Sequence, residues 1–397
     1  MNIPTHQIFN TQTQIALTNR VESYLGEDCD EFNKYGDAIK KYKLQKIYKF
    51  DIGRNCDGFS PLIREVMEQT DITKEAVKNL VDYPDNHYRL LTTYLSKLYG
   101  VDPKCFVIGS GLENMIDILA RAILTVNDKY LLPVPNFSLF EEFSSRTGAI
   151  PVFIQLNKEN RYQWTSITAD EIINSIKTVS PKILWISNPV NPTGQYIEHE
   201  ILEKIIAVAN RNNCIVVVDE AYGEYTDQDN EFNTCIKFLD KYPNLVVLRT
   251  LSKIFGLPSI RIGYMVTKNP DISGVIKLYR QVFPFSWFSL FVGQIALVDQ
   301  EYPALSRKLN TERRTRLFQH LDQLDGYEYL KSETCVFLLK SKTISGDELV
   351  DTLETKGYFV ANHNSISGIK GENFVRLTVQ NDADNNCLVE ILKNLNR

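Results

Sequence analysis

The chain has 397 residues, of which 43% are hydrophobic and 23% are charged, and its formal net charge is −5. This length suffices for two or three domains with a large buried core, and the composition argues against disorder, collagen-like sequence or a coiled coil. The slight acidic excess argues against general binding to nucleic acid or to an acidic membrane surface, because both need clustered lysine and arginine.

Cysteine spacing and apolar runs narrow the class of protein further. The seven cysteines are scattered without a CxxC spacing, which predicts reduced thiols and neither a disulfide framework nor a metal site. No stretch approaches the ~20 apolar residues of a membrane span, and the polar N-terminus lacks the apolar centre of a secretory signal. These features predict a cytoplasmic enzyme.

The first part of the chain, residues 1–49, is polar and weakly patterned, and we interpret it as an N-terminal extension. Beyond it, short apolar runs rich in β-branched residues alternate with helical patterns. The apolar runs predict strands at residues 106–108, 130–134, 152–156, 183–187, 215–218 and 245–248. Buried strands separated by helices predict βαβ units and a mostly parallel sheet. We therefore expect residues 50–290 to form an α/β domain, the first part of which could pack with the smaller domain.

The pattern changes from roughly residue 301, and we assign residues 291–397 to a smaller α+β domain. A long charged helix at 302–324 precedes a strand, a helix, a second strand and a last helix. These four elements are predicted at residues 335–340, 346–356, 374–379 and from 383 onward.

Four short motifs follow predicted strands, where open α/β sheets usually bind ligands. They are NPVNPTG at 188–194, DEAY at 219–222, SK at 252–253 with an arginine eight positions later, and GSG at 109–111. Alone, each has an ordinary reading: Asp219 would cap a helix equally well, and Lys253 is either a surface residue or a desolvated, nucleophilic amine. The GSG turn would place a helix N-terminus at a phosphate, although it is neither a Walker loop nor GxGxxG.

In this order, the motifs resemble the pyridoxal-phosphate aminotransferases of fold type I. The resemblance is greatest to the histidinol-phosphate aminotransferase group, whose relatives include threonine-phosphate decarboxylase, and it spans roughly residues 50–379. It implies a large domain with a mostly parallel seven-stranded sheet between helices, plus a smaller α+β domain. It also implies pyridoxal 5'-phosphate as the cofactor and a homodimer with its sites at the interface.

The resemblance assigns roles around the cofactor ring. Lys253 would form the Schiff base and then transfer a proton. Asp219 would pair with the ring nitrogen, while Tyr222 and Asn191 would hydrogen-bond the ring's 3-oxygen. Phe137 would stack on the ring, at a position where most members carry tyrosine.

The resemblance also assigns a site for the cofactor phosphate. The groups concerned are the backbone of Gly111, Leu112 and Glu113 and the side chains of Ser252 and Arg261. Tyr83 matches a tyrosine that reaches this phosphate from the neighbouring subunit, although a packing tyrosine before a turn proline is the alternative reading.

The substrate side departs from the family pattern. Arg376 matches the arginine that grips the substrate carboxylate, with a solvent-facing strand residue as the alternative. A second family arginine, fifteen positions earlier, is Ala361 here. Arg54 replaces an acidic residue in the loop DIGRNCDG, which also contains Asn55. Compensating contacts to a substrate phosphate are predicted from Arg54, Asn362 or His363.

These observations predict an aminotransferase that acts on a small anionic, phosphorylated substrate, with glutamate as a candidate donor. The alternative reaction is decarboxylation of an O-phospho-amino acid, since the outcome depends on which bond at the substrate Cα lies perpendicular to the cofactor ring. Weak similarities around Pro258, Arg280 and Tyr35 favour that branch. A non-catalytic homologue that acts as a binding protein is the third possibility.

Overall fold

The computed structural model describes residues 13–14, 31–227 and 232–395, and elements are numbered within the last two ranges. The α-helices there are α1 (Glu31–Tyr42), α2 (Pro61–Gln69), α3 (Ile72–Asn79), α4 (Arg89–Tyr99), α5 (Gly111–Ile123), α6 (Ser138–Arg146), α7 (Ser166–Val179), α8 (His199–Arg211), α9 (Pro270–Tyr279), α10 (Trp287–Val298), α11 (Glu301–Leu321), α12 (Gly346–Glu354) and α13 (Asp382–Leu395). The strands are β1 (Tyr48–Lys49), β2 (Phe106–Ser110), β3 (Lys129–Val134), β4 (Ile150–Gln155), β5 (Ile183–Ser187), β6 (Ile215–Asp219), β7 (Leu245–Thr250), β8 (Ile262–Val266), β9 (Tyr327–Tyr329), β10 (Val336–Ser341), β11 (Tyr358–Phe359), β12 (Ala361–Asn362) and β13 (Val375–Thr378).

The central feature is a seven-stranded sheet in the order β2-β8-β7-β6-β5-β3-β4. Its strands run parallel except β8, which is antiparallel to both of its neighbours. Successive residues of β6 enter different cores, since Val216 and Val218 pack on one side of the sheet and Val217 packs on the other. Both faces are therefore covered, which explains the continuous apolar runs in the sequence. The predicted α/β class with a mostly parallel seven-stranded sheet is confirmed.

A smaller unit follows, built on the antiparallel sheet β12-β13-β10-β9. Helices α11, α12 and α13 pack on it through a shared apolar core. Phe50 lies in that core, and β1 pairs in parallel with β11. Residues 48–50, which comprise β1 and Phe50, therefore pack with the C-terminal unit. The domain boundaries at residues 49/50 and 290/291 remain a prediction.

The topology gathers the motifs at one edge of the central sheet. The parallel strands β2, β3, β5, β6 and β7 end at this edge, and β8, being antiparallel, begins there. The loops that follow these five strands and the loop that precedes β8 therefore lie close together at this edge. No helix among the described residues is both long enough and apolar enough to cross a membrane.

Candidate active site

A cavity of about 350 Å³ lies at this edge of the sheet. Side chains and turns from the ends of β5, β6 and β7 line it, together with the first turns of α5 and α6. Among its lining residues are many of those predicted to hold a cofactor: Leu112, Glu113, Phe137, Asn191, Asp219, Tyr222, Ser252, Lys253 and Arg261. The order of the motifs along the chain thus corresponds to one site in space.

Lys253 lies in the turn after β7, and its ammonium group faces the cavity. Its Nζ donates a hydrogen bond to the carbonyl oxygen of Gly53 at 3.1 Å and lies 5.2 Å from the centroid of the Tyr222 ring. A Cβ at position 53 would clash with the Tyr222 hydroxyl. Glycine at this position therefore allows the N-terminal segment to approach the lysine closely.

Asp219 is the last residue of β6 and is only 4% exposed. One carboxylate oxygen accepts a hydrogen bond from the backbone N–H of Ala221 at 2.9 Å. Burial raises the pKa of Asp219 to about 7, and the positive charge of Lys253 opposes this rise. A buried carboxyl group of this kind, beside a cavity, suits a ligand that carries a positively charged ring nitrogen.

The first turn of α5 forms a cradle that also borders the cavity. Gly111 begins the helix with a φ of 76°, and a Cβ there would clash with the Arg261 guanidinium. Because the N–H groups of a first helical turn lack intrahelical acceptors, Gly111, Leu112 and Glu113 offer donors to an anion. The Arg261 guanidinium also donates to the carbonyl of Pro258 at 3.1 Å. These groups, with Ser252, have the chemistry of a phosphate site.

Phe137 forms one wall of the cavity at the start of α6. Its backbone N–H donates to Asn136 Oδ1 at 2.8 Å, and that oxygen also accepts from the Ser187 hydroxyl at 2.6 Å. The same hydroxyl oxygen accepts from the backbone N–H of Asn191 at 3.1 Å. One polar chain therefore fixes Phe137 relative to Asn191. The sequence analysis assigned no role to Asn136 or Ser187, although Asn136 directly precedes Phe137 and Ser187 directly precedes the NPVNPTG motif.

The Arg376 side chain is buried beside the cavity and does not face solvent. Val375 and Leu377 point into the core of the C-terminal unit, so the alternation of β13 turns Arg376 the other way. Its Nη1 donates to Asn191 Oδ1 at 3.2 Å and its Nη2 donates to the Asp51 carbonyl at 2.9 Å. With only 4% of its surface exposed, Arg376 presents a fixed guanidinium next to the site.

Position 361, where the family arginine is missing, lies directly across from Arg376. Ala361 and Arg376 are register partners on β12 and β13, so their side chains share a face. His363 follows closely and is buried, with its Nδ1 3.0 Å from the Asn362 carbonyl oxygen. Burial, together with the charge of Arg376, lowers the pKa of His363 to about 3, so this histidine stays neutral.

Besides Gly111, Arg376 and His363, described above, four predicted residues lie outside the cavity lining. The Asn55 amide donates to the Ile254 carbonyl at 2.8 Å, and the Asn362 amide donates to Asp347 on α12 at 2.6 Å. Both amides are thereby committed to structural contacts, which argues against direct binding of substrate. Arg54 is half-buried beside Gly53, outside the cavity lining.

Tyr83 is the fourth such residue. It is 80% exposed and stacks on Phe283, with ring centroids 4.5 Å apart, so it does not enter the cavity of its own chain.

Sequence reasoning also missed a buried charge cluster behind the site. Arg249, with no exposed surface, lies within 3.4 Å of Glu220, 3.2 Å of Glu224 and 4.0 Å of Asp227. Burial raises the pKa of Glu224 to about 7 and also raises the pKa of Glu220. The sequence does show two acidic residues, Glu220 and Glu224, on either side of Tyr222. It also shows Arg249 four residues before Lys253.

Comparisons with known proteins agree with this geometry. The family model described as aminotransferase class I and II matches residues 45–392. The chain is 31% identical over 362 residues to a histidinol-phosphate aminotransferase of Thermoanaerobacter sp. (strain X514), which covers 90% of this chain and 96% of that protein.

Two solved structures share the fold. Histidinol-phosphate aminotransferase from Sinorhizobium meliloti, in complex with pyridoxal-5'-phosphate, matches with a TM-score of 0.76 and 20% identity over 91% of this chain and 94% of that one. L-threonine-O-3-phosphate decarboxylase from Porphyromonas gingivalis matches with a TM-score of 0.71 and 20% identity over 86% of this chain and 100% of that one. The fold is therefore common to both reactions and does not distinguish them.

Proposed function

The chain belongs to the class I and II aminotransferase family, and we propose that it moves an amino group between an amino acid, with glutamate as the expected donor, and a small phosphorylated substrate of the histidinol-phosphate type. The observation that carries this proposal is the convergence of Lys253, Asp219 and the first turn of α5 on one cavity. A non-catalytic role would not require a lysine, a buried carboxyl group and an anion cradle in the same place.

The residues present fit pyridoxal 5'-phosphate, the cofactor of this family. Lys253 would hold it covalently, the buried Asp219 would face its ring nitrogen, and Phe137 would cover one face of its ring. Its phosphate would occupy the cradle that a side chain at position 111 would fill. Ser252 and Arg261 complete the set, while Tyr222 and Asn191 would reach the ring's 3-oxygen. When bound, this group withdraws electrons and stabilises negative charge at the substrate Cα.

The side chains of this protein bind the substrate and move its proton. Arg376 would grip the substrate carboxylate through its guanidinium, which Asn191 and the Asp51 carbonyl already orient. Lys253 Nζ would take a proton from the substrate Cα as a general base and would then donate it, as a general acid, to the cofactor carbon bound to the amino nitrogen, so that the keto product leaves without that nitrogen. A cation beside Asp219 would lower the pKa of this carboxyl group and keep it ionised.

We further propose that the protein is a homodimer. Exposed apolar side chains cluster on α3, at the end of α9 and in the segments that follow these helices: Val77, Leu80, Val81, Tyr83, Leu278, Tyr279, Val282 and Phe283. Exposed apolar side chains grouped in this way are typical of protein–protein interfaces. Tyr83 projects from it and would reach the cofactor phosphate in the partner's site. The free cysteines of the described residues support a cytoplasmic location.

The test is an assay of the cofactor-loaded protein with paired substrates. We expect histidinol phosphate and 2-oxoglutarate to yield glutamate, and the Lys253→Ala variant to yield none. Release of carbon dioxide from phosphothreonine or phosphoserine, without formation of a keto acid, would instead identify a decarboxylase. Absence of turnover across a panel of amino acids and phosphorylated amines would support the non-catalytic alternative.

A further inference from the structure

The short segment Asp51–Asn55 contacts the site at every second residue. The carbonyl oxygen of Asp51 accepts from Arg376 and the carbonyl oxygen of Gly53 accepts from Lys253. The Asn55 side chain then donates to the carbonyl of Ile254, the residue after Lys253. This segment therefore holds Lys253 and Arg376, the two cations of the proposed reaction, through its backbone carbonyls and the Asn55 amide.

The segment is itself held by helix α1. The Asp51 carboxylate accepts a hydrogen bond from the Tyr35 hydroxyl at 2.8 Å and pairs with Lys34 Nζ at 2.6 Å. The Tyr35 ring packs edge-on against Phe359 with centroids 4.8 Å apart, and Lys49 lies over the same ring at 4.1 Å. Side-chain contacts from α1 thus converge on the residue whose carbonyl orients Arg376.

These polar contacts do more than attach the helix. Ala38, Tyr35 and Phe359 already form an apolar cluster that would secure α1 by packing. A buried carboxylate adds a desolvation cost, and its pairing often contributes little to stability while fixing one geometry. Asp51 is 6% exposed, and its Oδ1 has no hydrogen-bond partner among the described residues. The carboxylate therefore specifies where the segment lies rather than adding much stability.

We infer that Asp51 is a positioning residue for Arg376, and that Tyr35 and Lys34 of α1 set its position. This inference rests on the proposed function, because it takes Arg376 as the group that binds the substrate carboxylate. Loss of the Tyr35 hydroxyl would let Asp51 shift, and its carbonyl would no longer align the Arg376 guanidinium. The effect would appear in carboxylate binding, whereas Lys253 and the cofactor would keep their places.

The test compares Tyr35→Phe with Tyr42→Phe, a matched change on the same helix. For Tyr35→Phe we expect the KM for glutamate to rise about tenfold while kcat stays within about twofold. We expect the Kd of glutarate, a carboxylate without an amino group, to rise equally when it is measured from the absorption of the bound cofactor. Backbone amides of residues 49–55 should also exchange faster with solvent in the cofactor-free protein. Tyr42→Phe should change none of these values.

Lys34→Met, with Lys40→Met as its control, repeats the test without altering an aromatic ring. Unchanged glutarate binding in both Tyr35→Phe and Lys34→Met would overturn the inference, as would equal losses in the two tyrosine variants. Absence of glutarate binding and of glutamate turnover in the unmodified protein would instead overturn the proposed function. The two failures are therefore distinguishable.

Discussion

Nη1 of Arg376 lies 3.2 Å from Oδ1 of Asn191, which joins the four-stranded sheet directly to the loop after β5 of the seven-stranded sheet. The group that we propose to bind the substrate carboxylate thus contacts a residue that we propose to bind the cofactor. A change on either side would be transmitted across this hydrogen bond.

Replacement of Arg376 by lysine should weaken substrate binding specifically. Lysine keeps the charge but lacks the planar fork that contacts both Asn191 and the Asp51 carbonyl. We expect kcat/KM for glutamate to fall about 10- to 100-fold, with cofactor content unchanged. Arg316→Lys, at an exposed pair with Asp382, is the control and should retain full activity. Equal activity of the two variants would contradict the assignment.

Replacement of Lys253 by alanine should abolish covalent attachment of the cofactor. Reduction with borohydride followed by peptide mass mapping should locate the cofactor on Lys253 in the unmodified protein and nowhere in the variant. We expect turnover to fall by at least about 10²–10⁴-fold, because the general base is removed as well. Lys241→Ala, at a surface pair with Glu203, should behave as the unmodified protein does. Attachment at a different lysine would refute this assignment.

Replacement of Phe137 by alanine should loosen the cofactor. An aromatic ring stacked on another contributes about 0.5–1.5 kcal/mol, so we expect the Kd of the cofactor to rise about 3- to 10-fold. Phe137→Tyr preserves the ring, so this variant should bind the cofactor as tightly as the unmodified protein does. Phe153→Ala, on the exposed edge strand β4, serves as the control. If Phe137→Ala left the Kd unchanged, this residue would not cover the ring.

The Arg249 cluster should make stability depend on pH. The pKa of Glu224 is raised by burial from 4.5 to about 7, so between these values the folded protein keeps a proton that the unfolded chain releases. This contribution to stability is complete below about pH 4.5 and is lost as the pH rises to about 7. Relative to Glu224→Gln, the unmodified protein should lose up to about 1.4 kcal/mol of unfolding free energy per pH unit in that window.

Chemical denaturation of both proteins across this pH range measures the difference. Glu203→Gln is a suitable control, because the pKa of the half-buried Glu203 is lowered by Lys241 and any pH dependence of stability from this group has the opposite sign. A stability difference between Glu224→Gln and the unmodified protein that stays constant with pH would show that Glu224 is ionised in the folded state.

A charge within the apolar patch should dissociate the proposed homodimer. Phe283→Asp places a carboxylate against Tyr83, at the centre of the patch, and desolvating that charge at an interface is costly. We expect sedimentation to report a monomer with reduced cofactor affinity, since the partner's Tyr83 is lost. Ile167→Asp alters an exposed apolar residue on α7, outside the patch, and should remain dimeric. A monomeric unmodified protein would disprove the dimer.

The sheet and the cofactor cavity were predictable because their signals are local. Each motif lies at or directly after the end of a strand, and the carboxyl ends of parallel strands share one edge, so Asp219, Lys253 and the first turn of α5 are expected at the same edge. Arg261 joins them because β8 runs antiparallel and begins where β7 ends.

The substrate side was less predictable because its contacts are long-range. Asn55 and Asn362 are polar residues in loops that resemble substrate-binding loops. Only the packing shows that their amides donate hydrogen bonds to Ile254 and Asp347 instead. The Arg249 cluster likewise depends on two strands and a turn meeting in the interior. The acidic pair around Tyr222 and the arginine before Lys253 are visible in the sequence, but only the pairing of β6 with β7 shows that these charges share one buried space.

The hydrogen bonds of Arg376 also bear on the order in which a growing chain completes its site. They join residues separated by 185 and 325 positions, whereas the cavity for the cofactor is assembled from residues 53 to 261. During synthesis, domains generally fold from the N-terminus onward. All residues that line the cavity are therefore synthesised before β13, and we expect a nascent chain to assemble this cavity before it can hold the carboxylate of a substrate.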